Sequence, residues 1–246
     1  MRQVDVTLHP AWFQGRGMRA PYFEGWYFKL VDATEQHRLA VIPGVVHNPE
    51  GAEPSHCFVQ VLDGTSGRAT YHRYPLTAFV AARDAFDVRV GPNHFTGAGM
   101  TLDIDDAQRT LRGSVQFSAL QPWPVRPCSP GIMGWFAWVP FMQCYHGVLG
   151  LDHALRGNVT LDGVGIDWQG GRGYIEKDWG RAFPSAWVWM QCNHFDQPGS
   201  SLTLSLATIP WLGLSLQRSD HRGPFCAAIA GLCHLSAGLC GGGDRT

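Results

Sequence analysis

Nine short segments, WYFKLVD, RLAVIPGVV, CFVQVLDG, FDVRV, MTLDIDD, LRGSVQFSAL, RGNVTLDG, WVWMQCNHF and SLTLSLATI, alternate apolar with polar residues or run apolar for a few positions. Side chains leave a strand on opposite sides in turn, so this spacing fits strands with one buried face. Thirty glycines and sixteen prolines punctuate the 246 residues, and no stretch holds a capped 3.6-residue apolar period over three turns. Helix content is therefore expected to be low. In VLDGTSGRATYHRY, Asp63-Gly64 and Ser66-Gly67 tolerate positive φ and predict a hairpin. The fold class that follows is all-β, an antiparallel barrel or sandwich.

Residues 121–131, QPWPVRPCSPG, carry four prolines. Each proline removes a backbone donor, so this stretch reads as a linker. It separates an N-terminal β domain, residues 1–120, from a second one, residues 132–213. Residues 214–246 break character, with three of the seven cysteines at intervals of seven and little alternation. They read as a frame-shifted or truncated end that leaves the second domain incomplete.

Charged residues make up 16% of the chain and the formal net charge is −1, which leaves no field to attract nucleic acid. The first residues lack the apolar core of a signal peptide, so a cytoplasmic location is expected. No C-x-x-C pair and no zinc-finger spacing occurs, which favours reduced thiols over disulfides or a structural metal. G-x-G-x-x-G after a strand, the P-loop, H-E-x-x-H and G-x-S-x-G are all absent, so neither a cofactor nor a metal is expected.

Three segments combine ionisable and aromatic residues. In PYFEGWYFKLVD, alternation sends Glu24, Trp26 and Phe28 to one face and Tyr27 to the other. Glu24 then either lines an aromatic cavity or forms an architectural ion pair. In residues 134–163, Trp138 and Tyr145 build an apolar wall or a core beside His146, which needs a partner if buried. In GYIEKDWGRAFPSAWVWMQCNHF, Glu176 and Asp178 point one way and Lys177 the other. Two carboxylates on one face near Trp179 oppose each other's ionisation, and an apolar wall adds desolvation, so one can stay protonated near pH 7. A salt-bridged turn with Arg172 or Arg181 is the competing account. Downstream, Trp187, Trp189 and Asn193 share a face opposite His194 and suit a lined pocket.

PYFEGWYFKLVD, then MGWFAWVPFMQCYHGVLGLDHALRGNVTLDG, then GRGYIEKDWGRAFPSAWVWMQCNHF together resemble the tocopherol cyclase family, over most of residues 12–213. The resemblance implies two lipocalin-like β-barrel domains, related in architecture to carotenoid hydratases, with a lipid-sized cavity. It implies an isomerase of vitamin E biosynthesis that closes a chromanol ring on a prenylated quinol by protonating an alkene. Asp178, Glu176 or Glu24 would be the acid and His146 or His194 the base. Trp26, Tyr27, Trp138, Tyr145, Trp179, Trp187, Trp189 and Asn193 would surround a hydrophobic substrate, a prenyl quinol or related isoprenoid. Peripheral contact with a membrane would follow from such a substrate, and no protein partner is inferable. The alternative reading is a non-catalytic, lipocalin-like carrier of a quinone or isoprenoid lipid.

Overall fold

A computed structural model describes residues 3–197 and 199–208, so the atypical tail, 214–246, lies outside the described residues. A six-residue helix, α1 (Gln3–Leu8), precedes the strands. The first four are β1 (Tyr22–Val31), β2 (Arg38–His47), β3 (His56–Asp63) and β4 (Ala69–Pro75). A 3-10 turn, Leu76–Ala78, leads to β5 (Phe79–Ala81), β6 (Asp87–Val90), β7 (Asn93–Thr96), β8 (Gly99–Asp105) and β9 (Thr110–Gln121). The proline-rich stretch holds only a two-residue ladder between β10 (Val125–Arg126) and β11 (Ser129–Pro130), followed by a 3-10 turn at Gly134–Trp138. Then come β12 (Cys144–Leu161), β13 (Val164–Asp167), β14 (Arg172–Gly180), β15 (Trp187–Cys192) and β16 (Leu202–Ala207).

Each of the nine segments singled out by its alternation contains part or all of a strand among the described residues. The hairpin expected in VLDGTSGRATYHRY joins β3 to β4, with Gly67 at φ +73° and the Asp63 carboxylate accepting from the backbone N–H groups of Thr65 and Ser66.

One antiparallel sheet runs β4-β3-β2-β1-β14-β12-β9-β8-β7-β6-β5, with β13 added to β12, and curls into a nearly closed barrel. Near its open edge the Gln108 side chain imitates a strand, since Tyr71 N–H donates to its Oε1 (3.4 Å) and its Nε2 donates to Tyr71 O (2.9 Å). The proline-rich stretch does not interrupt this sheet. β9, before it, pairs with β12, after it, and β1 pairs with β14.

The inner face is a packed core. Trp26, Phe28, Val41, Val59, Phe95 and Ile175 are fully buried there. Side chains of one apolar cluster pack together on that face. On the outer face, a second apolar cluster of Ile132, Val148, Leu151 and Tyr174 packs with Tyr27, Met133 and Trp189. Here the sheet meets the stretch after the linker and the β15–β16 hairpin.

Candidate active site on the outer face

β14 positions three ionisable side chains by simple alternation. Tyr174, Glu176 and Asp178 leave its outer face, and Lys177 leaves its inner face. β12 lies alongside, and its register sets His146 opposite Asp178 and Val148 opposite Glu176. His146 Nδ1 is 2.8 Å from Asp178 Oδ1, and His146 Nε2 is 3.7 Å from Glu176 Oε2. Tyr174 Oη donates to Glu176 Oε2 at 2.6 Å, and Trp189 Nε1 donates to the same oxygen at 3.0 Å. The hairpin therefore completes the environment of the carboxyl group.

Burial disfavours charge at Glu176 and pushes its pKa up, partly opposed by His146, reinforced by Asp178 and offset again by the two donors. For His146, burial works against the charged form, but the Asp178 carboxylate and its hydrogen bond outweigh it and lift the pKa to about 9. The imidazole is thus an imidazolium at neutral pH, held between two acidic side chains. His146 Nε2 is buried and has no hydrogen-bond partner among the described residues. An unmade bond of that kind costs about 1–3 kcal/mol, so a purely structural role leaves it unexplained.

His146 also lines a cleft of about 670 Å³ between the N-terminal segment, the stretch after the linker and the end of β14. Tyr145 and Trp179, stacked at 5.6 Å, form part of its wall with Met18, Phe141 and Met142. Tyr145 Oη donates to Val139 O (2.8 Å), which pins the loop above it.

The remaining expected residues are dispersed. Glu24 is fully buried on the inner face, paired with Lys177 Nζ at 2.6 Å, and accepts from Tyr22 Oη and from Gln14 N–H (3.1 and 3.0 Å). Lys177 further donates to Pro10 O (2.9 Å) and Trp12 O (2.5 Å) and lies over the rings of Trp26 and Trp179. Trp26 is therefore core, and Trp179 stands on the face away from the two carboxylates. Arg172 pairs with Asp152 rather than with the carboxylates of β14 (3.0 and 2.5 Å). Trp138 donates to Pro127 O (2.9 Å), and Trp187 is exposed beside Phe183. Tyr27 meets Trp189 edge-on at 5.5 Å.

Asn193 is fully buried, and its amide is used within the protein. Nδ2 donates to Asp152 Oδ1 and Gly173 O, both at 2.9 Å, while Oδ1 accepts from Lys29 Nζ and His194 Nδ1, both at 3.0 Å. His194 thus belongs to a separate network from His146. Tyr174 and Lys29 were not singled out in the sequence. Tyr174, two residues before Glu176 on a strand, was the one with a readable signal.

His146, Glu176 and Asp178 offer one ligand atom each within 4.8 Å of one another, enough to hold a divalent cation. His146 Nδ1, Glu176 Oε2 and Asp178 Oδ1 already have hydrogen-bond partners.

The sequence model of a family described as "Tocopherol cyclase-like" matches residues 88–209, which contain His146, Glu176 and Asp178. Over these residues the chain is similar to the tocopherol cyclase-like family. A chloroplastic tocopherol cyclase of Zea mays is 36% identical over 73 residues, 30% of this chain and 15% of that protein. A probable chloroplastic tocopherol cyclase of Oryza sativa subsp. japonica is 31% identical over 74 residues, 30% of this chain and 16% of that protein. The chain thus matches only a small part of the length of these relatives. A crystal structure of a putative AttH from Nitrosomonas europaea has a TM-score of 0.50 at 15% identity, over 79% of this chain and 62% of that one, and shares the lipocalin-like fold. Among the described residues no helix is long and apolar enough to cross a membrane.

Proposed function

We propose that this tocopherol cyclase-like protein is an isomerase that closes a chromanol ring on a prenylated quinol. The observation that carries the reading is the group of buried Glu176 and half-buried His146 and Asp178, where an imidazolium with an unpartnered Nε2 stands 3.7 Å from a carboxyl group whose pKa burial raises. Protonating an alkene requires an acid that still holds its proton at neutral pH. Burial favours that state at Glu176, and the adjacent imidazolium makes the acid stronger than burial alone would leave it.

In the proposed reaction the Glu176 proton adds to the prenyl double bond, leaving a tertiary carbocation and a carboxylate. The quinol oxygen captures the cation, and its proton returns to Glu176 by way of the His146–Asp178 pair. Atoms balance and no net proton is consumed. Trp179 is the indole of the cleft wall that His146 also lines, and an indole face stabilises positive charge by about 1–2 kcal/mol when desolvated.

The test is incubation of the purified protein with prenyl quinols, followed by chromatography and mass spectrometry, with and without a chelator. The expected product keeps the substrate's mass at a changed retention time, and the chelator has no effect. Absence of such a product from every prenyl quinol tried would reject the reading, and loss of turnover with chelator would replace the proton relay by a metal site.

A further inference from the structure

We propose that a second small-molecule site lies on the outer face of β1, β2 and β3, shaped for a hydroxylated organic acid whose carboxylate meets Lys29 and Arg38 and whose hydroxyl meets His194. It stands independently of the ring-closure reading.

The strand register builds the site. Tyr27, Lys29 and Val31 leave the same face of β1; Val31 pairs with Arg38 and Lys29 with Ala40 on β2, and Ala40 pairs with Leu62 on β3. These side chains, with Glu35 and His194 at the rim, line a cavity of about 300 Å³. Its floor is apolar, and its edge carries the cations Lys29 and Arg38 with the single carboxylate of Glu35.

Three observations choose the ligand chemistry. First, among the described residues neither Lys29 nor Arg38 has a carboxylate within 4.0 Å. Asp152 is occupied by Arg172 and by Asn193 Nδ2. Second, Lys29 makes one hydrogen bond, to Asn193 Oδ1, so its ammonium retains donors for an incoming anion. Third, Asn193 Oδ1 can only accept, because Nδ2 already donates twice, and so His194 Nδ1 must carry the proton. Burial and the Lys29 charge lower the His194 pKa, which leaves a neutral ring whose Nε2 accepts from a hydroxyl. The floor of Val31, Ala40 and Leu62 suits an apolar body between the two polar ends. Tyr27 pairs with Glu176 across β1 and β14, so Lys29 sits about 7 Å, two strand residues, from the proposed acid.

The experiment titrates the purified protein with 4-hydroxybenzoate, benzoate, phenol and inorganic phosphate, by calorimetry or NMR. Saturable binding is expected for 4-hydroxybenzoate, weaker binding for benzoate, and weakest for phenol and phosphate. Lys29→Met and the exposed Arg38→Gln should each weaken 4-hydroxybenzoate by about tenfold or more, equivalent to about 1.4 kcal/mol. Arg38→Gln is read alongside an unchanged thermal unfolding midpoint, which keeps loss of binding distinct from loss of fold. No saturable binding of either acid, or binding indifferent to both substitutions, would overturn the proposal; phosphate binding tightest would overturn the organic-acid assignment.

Discussion

On the inner face of β14, Lys177 and Glu24 neutralise each other out of contact with solvent, and every polar atom of the pair has a partner. One residue earlier, on the outer face, one imidazole stands between two acidic side chains, a ring nitrogen lacks a partner, and a cleft opens alongside. Each group has a buried carboxyl side chain and a tryptophan beside it. They differ in completeness. The inner pair is closed, tying the N-terminal segment to the barrel through two carbonyl groups. The outer group has a carboxyl group whose pKa burial raises and a ring nitrogen without a hydrogen-bond partner, which is what the proposed proton transfer to a ligand requires. Burial of charge alone therefore does not identify an active site; an unbalanced, incompletely bonded cluster beside a cleft does.

The sharpest way to break this contrast is Glu176→Gln, which is nearly the same shape as the neutral acid. Turnover of a prenyl quinol should fall by about 10²–10⁴-fold while the unfolding free energy changes by no more than about 1 kcal/mol. A loss of stability instead, with the rate retained, would make the outer group structural.

Next comes Lys177→Met, which strands Glu24 and should cost about 3–5 kcal/mol in denaturant unfolding. Adding Glu24→Gln to it should restore part of that loss. A loss under about 1 kcal/mol would mean that the inner pair does not hold the barrel together.

Third is the pH profile of stability. The folded pKa of His146 is raised from 6.5 to about 9, so its contribution is complete below 6.5 and is lost as pH rises towards 9. The loss should reach at most about 3 kcal/mol and should flatten in His146→Gln. His153, buried on the other face against Phe117, is shifted down to about 4 by burial, so its contribution is lost as pH falls from 6.5 towards 4. Opposite slopes on the two sides of pH 6.5, each removed by replacing its own histidine, are the expected result, and replacement of His146 that left the alkaline slope intact would contradict it.

Smallest is Trp189→Phe, which removes one of two donors to Glu176 Oε2. Since that bond lowers the Glu176 pKa, its removal should raise the pKa further and weaken the acid, by about 1 kcal/mol in the rate profile. A shift of the profile to lower pH would count against Glu176 as the acid.

Much of this contrast was legible in the sequence. Alternation separated Glu176 and Asp178 from Lys177, and placed Glu24 with Trp26, because the period of a strand is local. Partners across the sheet were not legible. His146 reaches Asp178 through a strand pairing 32 residues away, and Lys29 reaches Asn193 over 164 residues. No local pattern encodes such distances, so His194 could not be told apart from His146 as a partner for the carboxylates. Alternation along β14 likewise puts Trp179 with Lys177 on the inner side, whereas only the strand pairing leaves the proline-rich stretch as a short ladder beside an unbroken sheet. At Gly173, a Cβ would lie 2.2 Å from His153 Nε2, a constraint that appears only once β12 and β14 are neighbours.

Infrared difference spectroscopy of the carboxyl stretch at neutral pH tests the central claim most directly. A protonated carboxylic acid band is predicted that disappears in Glu176→Gln and survives in Glu24→Gln. A neutral-pH spectrum without that band, or one in which it survives Glu176→Gln, would contradict the account.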